Sequence, residues 1–210
     1  MTHLALIAFA GRRCLAEGDA ITVALAIRQA QDAGEASPVQ VFEDATGRPV
    51  DLDLRGTPED IRARYALIEP PPRGPGRPKL GVVAREITLL PRHWDWLASQ
   101  PGGASVALRR LVDDARHASE GTDRLREARE AAYRFMSAMA GNEPHYEEAI
   151  RALFAGDDEK FAAMIADWPG DVSRHAHKLA EAAFTTTAAA AEGSGNGQLR
   201  YQSANGGLRA

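Results

Sequence analysis

The chain has 210 residues, 44% hydrophobic and 26% charged, with 12 prolines and one cysteine. Such a composition belongs to a globular protein long enough to bury a core. A single cysteine excludes an internal disulfide framework, and no apolar run approaches the roughly 20 residues needed to span a bilayer.

The net charge of −4 argues against general coating by nucleic acid, but its distribution is uneven. Residues 1–69 carry 7 basic and 11 acidic side chains, residues 70–117 carry 8 and 4, and residues 118–210 carry 10 and 14. A basic island between acidic flanks steers a polyanion to one part of the surface. A bland basic surface is the alternative reading.

Residues 4–10 are apolar, lack a basic leader and run into Gly11-Arg12-Arg13. They read as a buried strand and a turn, not a signal peptide, and the expected location is cytoplasmic. Cys14 reads as a small, partly buried side chain. Asp19 caps a helix that runs to Ala30, with Ile21, Leu25 and Arg28 on one side, Ala24 and Ile27 beside them, and Gly34 at its end. Residues 39–42 and 50–54 read as the two strands of a hairpin around Thr46-Gly47. Thr57-Pro58-Glu59-Asp60 starts another helix, with Thr57 as its cap and Pro58 in the first position.

The expected class is α+β, in five segments. Residues 1–68 form a small α+β unit. Residues 69–79 form a stiff Pro/Gly-rich basic linker. Residues 80–117 form a strand-helix-helix module, residues 118–185 a helical domain, and residues 186–210 a disordered tail poor in groups to bury. Within the helical domain the spacing predicts helices at 123–140, 144–154, 157–167 and 171–184. Gly141, Gly156 and Pro169-Gly170 separate them.

The segment Arg73-Gly74-Pro75-Gly76-Arg77-Pro78-Lys79 resembles an AT-hook over Gly76-Arg77-Pro78-Lys79. That resemblance implies an extended arm in the minor groove of A·T-rich DNA, with Arg73, Arg77 and Lys79 along it. Downstream, Arg85-Glu86-Ile87-Thr88-Leu89-Leu90-Pro91 reads as a strand stopped by proline. Residues 92–98 then form a helix, Gly102-Gly103 a break, and Ser105 the cap of a second helix. This order resembles the ribbon-helix-helix superfamily. The resemblance implies a homodimer whose paired strands enter the major groove of double-stranded DNA, with the second helix aiming its first N–H groups at a phosphate.

Two strand registers fit. One turns Glu86, Thr88 and Leu90 outward, and the other turns Arg85, Ile87 and Leu89 outward; neither presents three polar readers. Arg85 and Thr88 are the base-contact candidates and Ser105 the phosphate contact. Arg92, Arg109 and Arg110 sit beside phosphates or pair with Asp113 and Asp114. Ile87, Leu89, Trp94 and Leu97 are the candidate dimer interface. A wider pattern joins Phe42-Glu43-Asp44-Ala45-Thr46-Gly47-Arg48 and Asp51-Leu52-Asp53-Leu54-Arg55-Gly56 to residues 76–94. It resembles the uncharacterised bacterial domain-of-unknown-function family 2239, a likeness that implies no activity.

Nothing in the pattern supports an enzyme. There is no phosphate-binding loop and no Gly-x-Ser-x-Gly. Glu43, Asp44, Asp51 and Asp53 read as a solvated strand face. His175 and His177 are two residues apart and diverge on a helix, so no metal site and no cofactor are expected. The expected function is DNA binding in a transcriptional regulator or chromosome-associated protein, whose C-terminal helices would bind a partner protein or effector. The alternative is a non-enzymatic interaction or stress adaptor whose central module only dimerises.

Overall fold

A computed structural model describes residues 5–66, 83 and 85–195, with side chains to residue 185. It divides into two compact units, Met1–Ala66 with Gly121–Ala210, and Leu67–Glu120. Arg73, Arg77 and Lys79 therefore lie outside the described residues, as do the whole of the predicted linker and the last part of the predicted tail.

The first unit is built around β1 (Leu6–Ala10), whose five residues are all buried. It is the middle strand of a three-stranded antiparallel sheet, with β2 (Arg13–Gly18) on one side and β3 (Val39–Glu43) on the other. A strand covered on both faces and both edges reads as an unbroken apolar run, and Leu-Ile-Ala-Phe-Ala does so. Alternate residues point to opposite faces. Leu6 and Ala8 join Val23, Ile27 and Val41 in one cluster, while Ile7 and Phe9 join Phe42 and the C-terminal helices in the larger one.

Strand β2 was not expected from the sequence. Its register runs from Ala10↔Arg13 to Leu6↔Gly18, with an irregularity at Ala8/Phe9. Only half-buried and exposed side chains line it, so its periodicity is weak.

Helix α1 (Ala20–Asp32) begins as its sequence indicates, with the Asp19 carboxylate accepting from the Thr22 N–H at 2.7 Å. The buried face is Val23, Ala24 and Ile27. The predicted stripe of Ile21, Leu25 and Arg28 is only half-buried, because the sheet meets the helix one step around its circumference.

The predicted hairpin is half realised. Phe42 bridges Pro49, and the Val50 N–H donates to the Val41 carbonyl at 2.9 Å, but residues 51–54 form no strand. Helix α2 (Pro58–Tyr65) takes over their backbone instead. The Asp53 N–H donates to the Tyr65 hydroxyl at 2.6 Å, and the Arg64 guanidinium donates to the Asp53 and Arg55 carbonyls. The predicted capping box is present, as the Thr57 hydroxyl accepts from the Asp60 N–H and the Asp60 carboxylate accepts from the Thr57 N–H. In the turn between, Gly47 has a φ of +62°, and a Cβ there would lie 2.3 Å from the Ala131 carbonyl oxygen. That position admits no side chain.

The second unit contains α3 (Pro91–Ala98) and the start of α4 (Gly103–Met139). Helix α4 is continuous where two helices were expected. Gly121 is the only strong breaker between them, and one glycine costs about 1 kcal/mol, less than the capping two new ends would require. Helices α5 (Tyr146–Ala155), α6 (Asp158–Met164) and α7 (Gly170–Gly195) complete the first unit. Asp157 caps α6 through the Lys160 N–H. Ala128, Ala132, Phe135 and Met139 face the core at helical spacing. Helix α7 continues beyond residue 185, where the tail was expected to begin, because alanines 188–191 favour helix strongly enough to extend it.

Candidate nucleic-acid interface

Residues 85–90 form no ladder among the described residues. Arg85, Glu86, Ile87, Thr88 and Leu90 are exposed and Leu89 is half-buried, so neither predicted register is selected. Pro91 opens α3 at the first helical position, where its missing N–H is not needed. Leu90 precedes it with extended backbone and no side-chain cap. The His93 N–H donates to the Leu90 carbonyl at 2.8 Å.

The break after α3 falls where predicted. Gly102 and Gly103 both have positive φ, 81° and 73°, and a side chain on Gly102 would press against Val106. The helix then starts at Gly103 rather than after Ser105. Ser105 is thus in the first turn instead of the cap position, since Gly103 takes up the turn geometry itself. Its hydroxyl is exposed among first-turn N–H groups that have no partner within an α-helix.

Arg92, Arg109 and Arg110 are exposed. The Arg109 Nε donates to the Ser105 carbonyl at 3.0 Å, and the expected pairing with Asp113 belongs to Arg116 instead, at 4.0 Å. Of the predicted dimer residues, Leu97 is 3% exposed, whereas Ile87 is 50% and Trp94 is 40% exposed. Among the described residues of this unit, Leu97 and Ala107 are buried. Ten large hydrophobic side chains are exposed among the described residues, and eight of them lie between Val83 and Val112.

The first unit holds a polar cluster that sequence reasoning missed. Lys178 on α7 donates to Glu17 at 2.7 Å and to both Asp44 oxygens at 2.9 Å. One turn earlier, His175 is 3% exposed, with its ring 4.5 Å from that of Phe135 and 5.9 Å from that of Phe9. Its Nδ1 lies 3.7 Å from Asp44, and its Nε2 has no hydrogen-bond partner. Another turn back, the Asp171 carboxylate accepts from the Cys14 N–H at 2.8 Å. A cavity of about 70 Å³ lies among Ile7, Cys14, Glu17, His175 and Lys178. Burial, with the Asp171 and Glu17 charges, pushes the Cys14 thiol above its ordinary range, which suppresses thiolate chemistry.

Glu43, Asp44 and Asp53 are each engaged by a different partner. Asp44 meets Lys178, Asp53 meets Arg55 and Arg64, and Glu43 accepts from the Thr46 hydroxyl. Among the described residues, no group of three or more His, Cys, Asp or Glu side chains is placed to hold a metal ion. No helix among them is long and apolar enough to cross a membrane.

His175 makes stability pH-dependent. Burial holds its imidazole below the ordinary value of 6.5, with Asp44 opposing the shift. The unfolded chain therefore takes up a proton near pH 6.5 that the folded chain refuses until lower pH. Stability present above 6.5 falls as the solution is acidified and levels off once the folded site protonates. Urea midpoints at steps between pH 7.5 and 5.5 should fall steadily for the native chain and more shallowly for His175→Gln. Equal slopes would show that other groups set the dependence.

Together these features define an α+β protein of two units, one a sheet layered between helices, the other a helix pair led by an exposed basic and apolar segment. The chain belongs to the family described as an uncharacterised protein conserved in bacteria (DUF2239), whose model matches residues 5–180. No curated protein and no solved structure matches it.

Proposed function

We propose that the chain binds double-stranded DNA as a homodimer, as a transcriptional regulator or chromosome-associated protein. The carrying observation is the concentration of exposed apolar side chains between Val83 and Val112, in the same stretch that holds the basic surplus. An apolar surface of that extent on a small unit calls for a partner. A second copy, related by a two-fold axis, would cover Ile87, Leu89 and Trp94 with their own counterparts. Pairing would also double the outward cations Arg85, Arg92, Arg109 and Arg110, raising the field that attracts a polyanion. Thr88 and the first turn of α4 around Ser105 would lie at the DNA, and Arg73, Arg77 and Lys79 would follow the minor groove.

The adaptor reading keeps one observation in its favour. The segment 85–90 is too apolar to present three polar readers in either register, which suits pairing of chains better than reading of bases. In that reading the C-terminal helices meet the partner protein, where Tyr133 and Phe154 form an exposed edge-on aromatic pair at 6.3 Å.

Two measurements separate these. Light scattering at micromolar concentration should give twice the chain mass, and Ile87→Asp should return it to one. Anisotropy with a labelled duplex should show binding at 50 mM salt that weakens by about a thousandfold at 200 mM, as release of about six counterions requires. A dimer that leaves the duplex free would establish the adaptor. A monomer that Ile87→Asp leaves unchanged would remove the paired ribbon from both readings.

A further inference from the structure

A cavity of about 410 Å³ lies along the outer edge of β3 in the first unit. Its size is that of a binding pocket rather than a packing defect. The edge is open for a reason already given: α2 holds the backbone of residues 53–55, so the return segment leaves β3 after Val50.

The backbone pattern tells which groups face the opening. The Glu43 N–H bonds to the Arg48 carbonyl and the Val41 carbonyl accepts from Val50, so the odd-numbered residues of β3 turn their polar groups away from β1. Beyond Val50 the return segment makes no backbone bond to this edge among the described residues. The Val41 N–H and both backbone groups of Val39 thus face the cavity, about 7 Å of unpaired strand. Its lining includes the apolar side chains Ile27, Leu52 and Leu54. Asp51 also lines it, exposed and without a salt bridge or side-chain hydrogen bond among the described residues, whereas the neighbouring Asp44 and Asp53 are both paired with cations.

We propose that this groove binds an extended peptide segment of a partner protein, adding about three residues as a strand on β3, with apolar side chains toward Leu52 and Leu54 and a lysine or arginine toward Asp51. Main-chain pairing supplies the alignment, and alternate side chains supply the selectivity. An anionic segment would meet a lone carboxylate and is disfavoured. The site is independent of DNA binding, so either reading can fail without the other.

The test uses the full chain, ¹⁵N-labelled, titrated with acetyl-Val-Lys-Val-Lys-Val-amide. Saturable shifts should centre on the Val39, Gln40 and Val41 amides. The glutamate counterpart should bind roughly fivefold more weakly, the scale of one exposed ion pair. Asp51→Asn should abolish that difference while leaving the rest of the spectrum unchanged, since its side chain has no partner to lose. A lysine peptide N-methylated at alternate amides should not bind. Absence of saturation at millimolar peptide, shifts centred elsewhere, or equal binding of the two charge variants would overturn the proposal.

Discussion

If the chain binds duplex DNA as proposed, replacing Arg109 and Arg110 together by alanine should weaken that binding by about a thousandfold at low salt. The two side chains are exposed on the first turns of α4, and neither makes a salt bridge with a side chain of the described residues. A dimer presents each of them twice. Four charge-assisted contacts of about 1 kcal/mol each amount to about 4 kcal/mol, or roughly three decades in Kd. The salt dependence carries the sharper signature. Each lost phosphate contact lowers the slope of log K against log salt by about 0.9, so the double variant should flatten it by roughly 3.6. Helical content should not change, because alanine favours helix at both positions. An unchanged slope would place the two arginines away from the phosphates even if affinity fell.

Phe135→Ala should destabilise the first unit by about 3–5 kcal/mol, measured by urea unfolding. Phe135 is fully buried, and its ring lies 5.4 Å from Phe9, 5.2 Å from Phe42 and 4.5 Å from His175. It is where α4, α7 and two strands meet, so truncation opens a void that no single element can close. The same substitution also uncovers His175, and water reaching the imidazole should return its titration toward the ordinary value. The pH slope of stability would shrink along with the stability itself. A loss below about 1 kcal/mol would mean that the neighbouring rings collapse into the space.

The family's wider pattern and the local punctuation were legible in the residues. The caps at Asp19 and Thr57 hold their helices as read, Pro91 opens α3, and Gly102-Gly103 makes the break before α4. The apolar run of β1 and the helical spacing through Phe135 were equally direct. The candidate interface was legible as a list of residues but not as an arrangement. Trp94 and Leu97, equivalent by spacing, part company in burial, and the strand registers stay unchosen in a single chain.

What the sequence by itself determined, then, was where elements start and stop and which faces are apolar. These depend on backbone freedom, capping and side-chain periodicity within a few residues. Only the tertiary structure decided the rest: the pairing of β2, the face of α1 that is buried, the departure of residues 51–54 from β3, and the Glu17, Asp44, His175 and Lys178 cluster. Lys178 and Asp44 are 134 residues apart, and Lys178 and Glu17 are 161 apart. No local preference selects such partners. They are chosen by packing the sheet between its helices, which brings distant charges side by side around the half-exposed Lys178 ammonium.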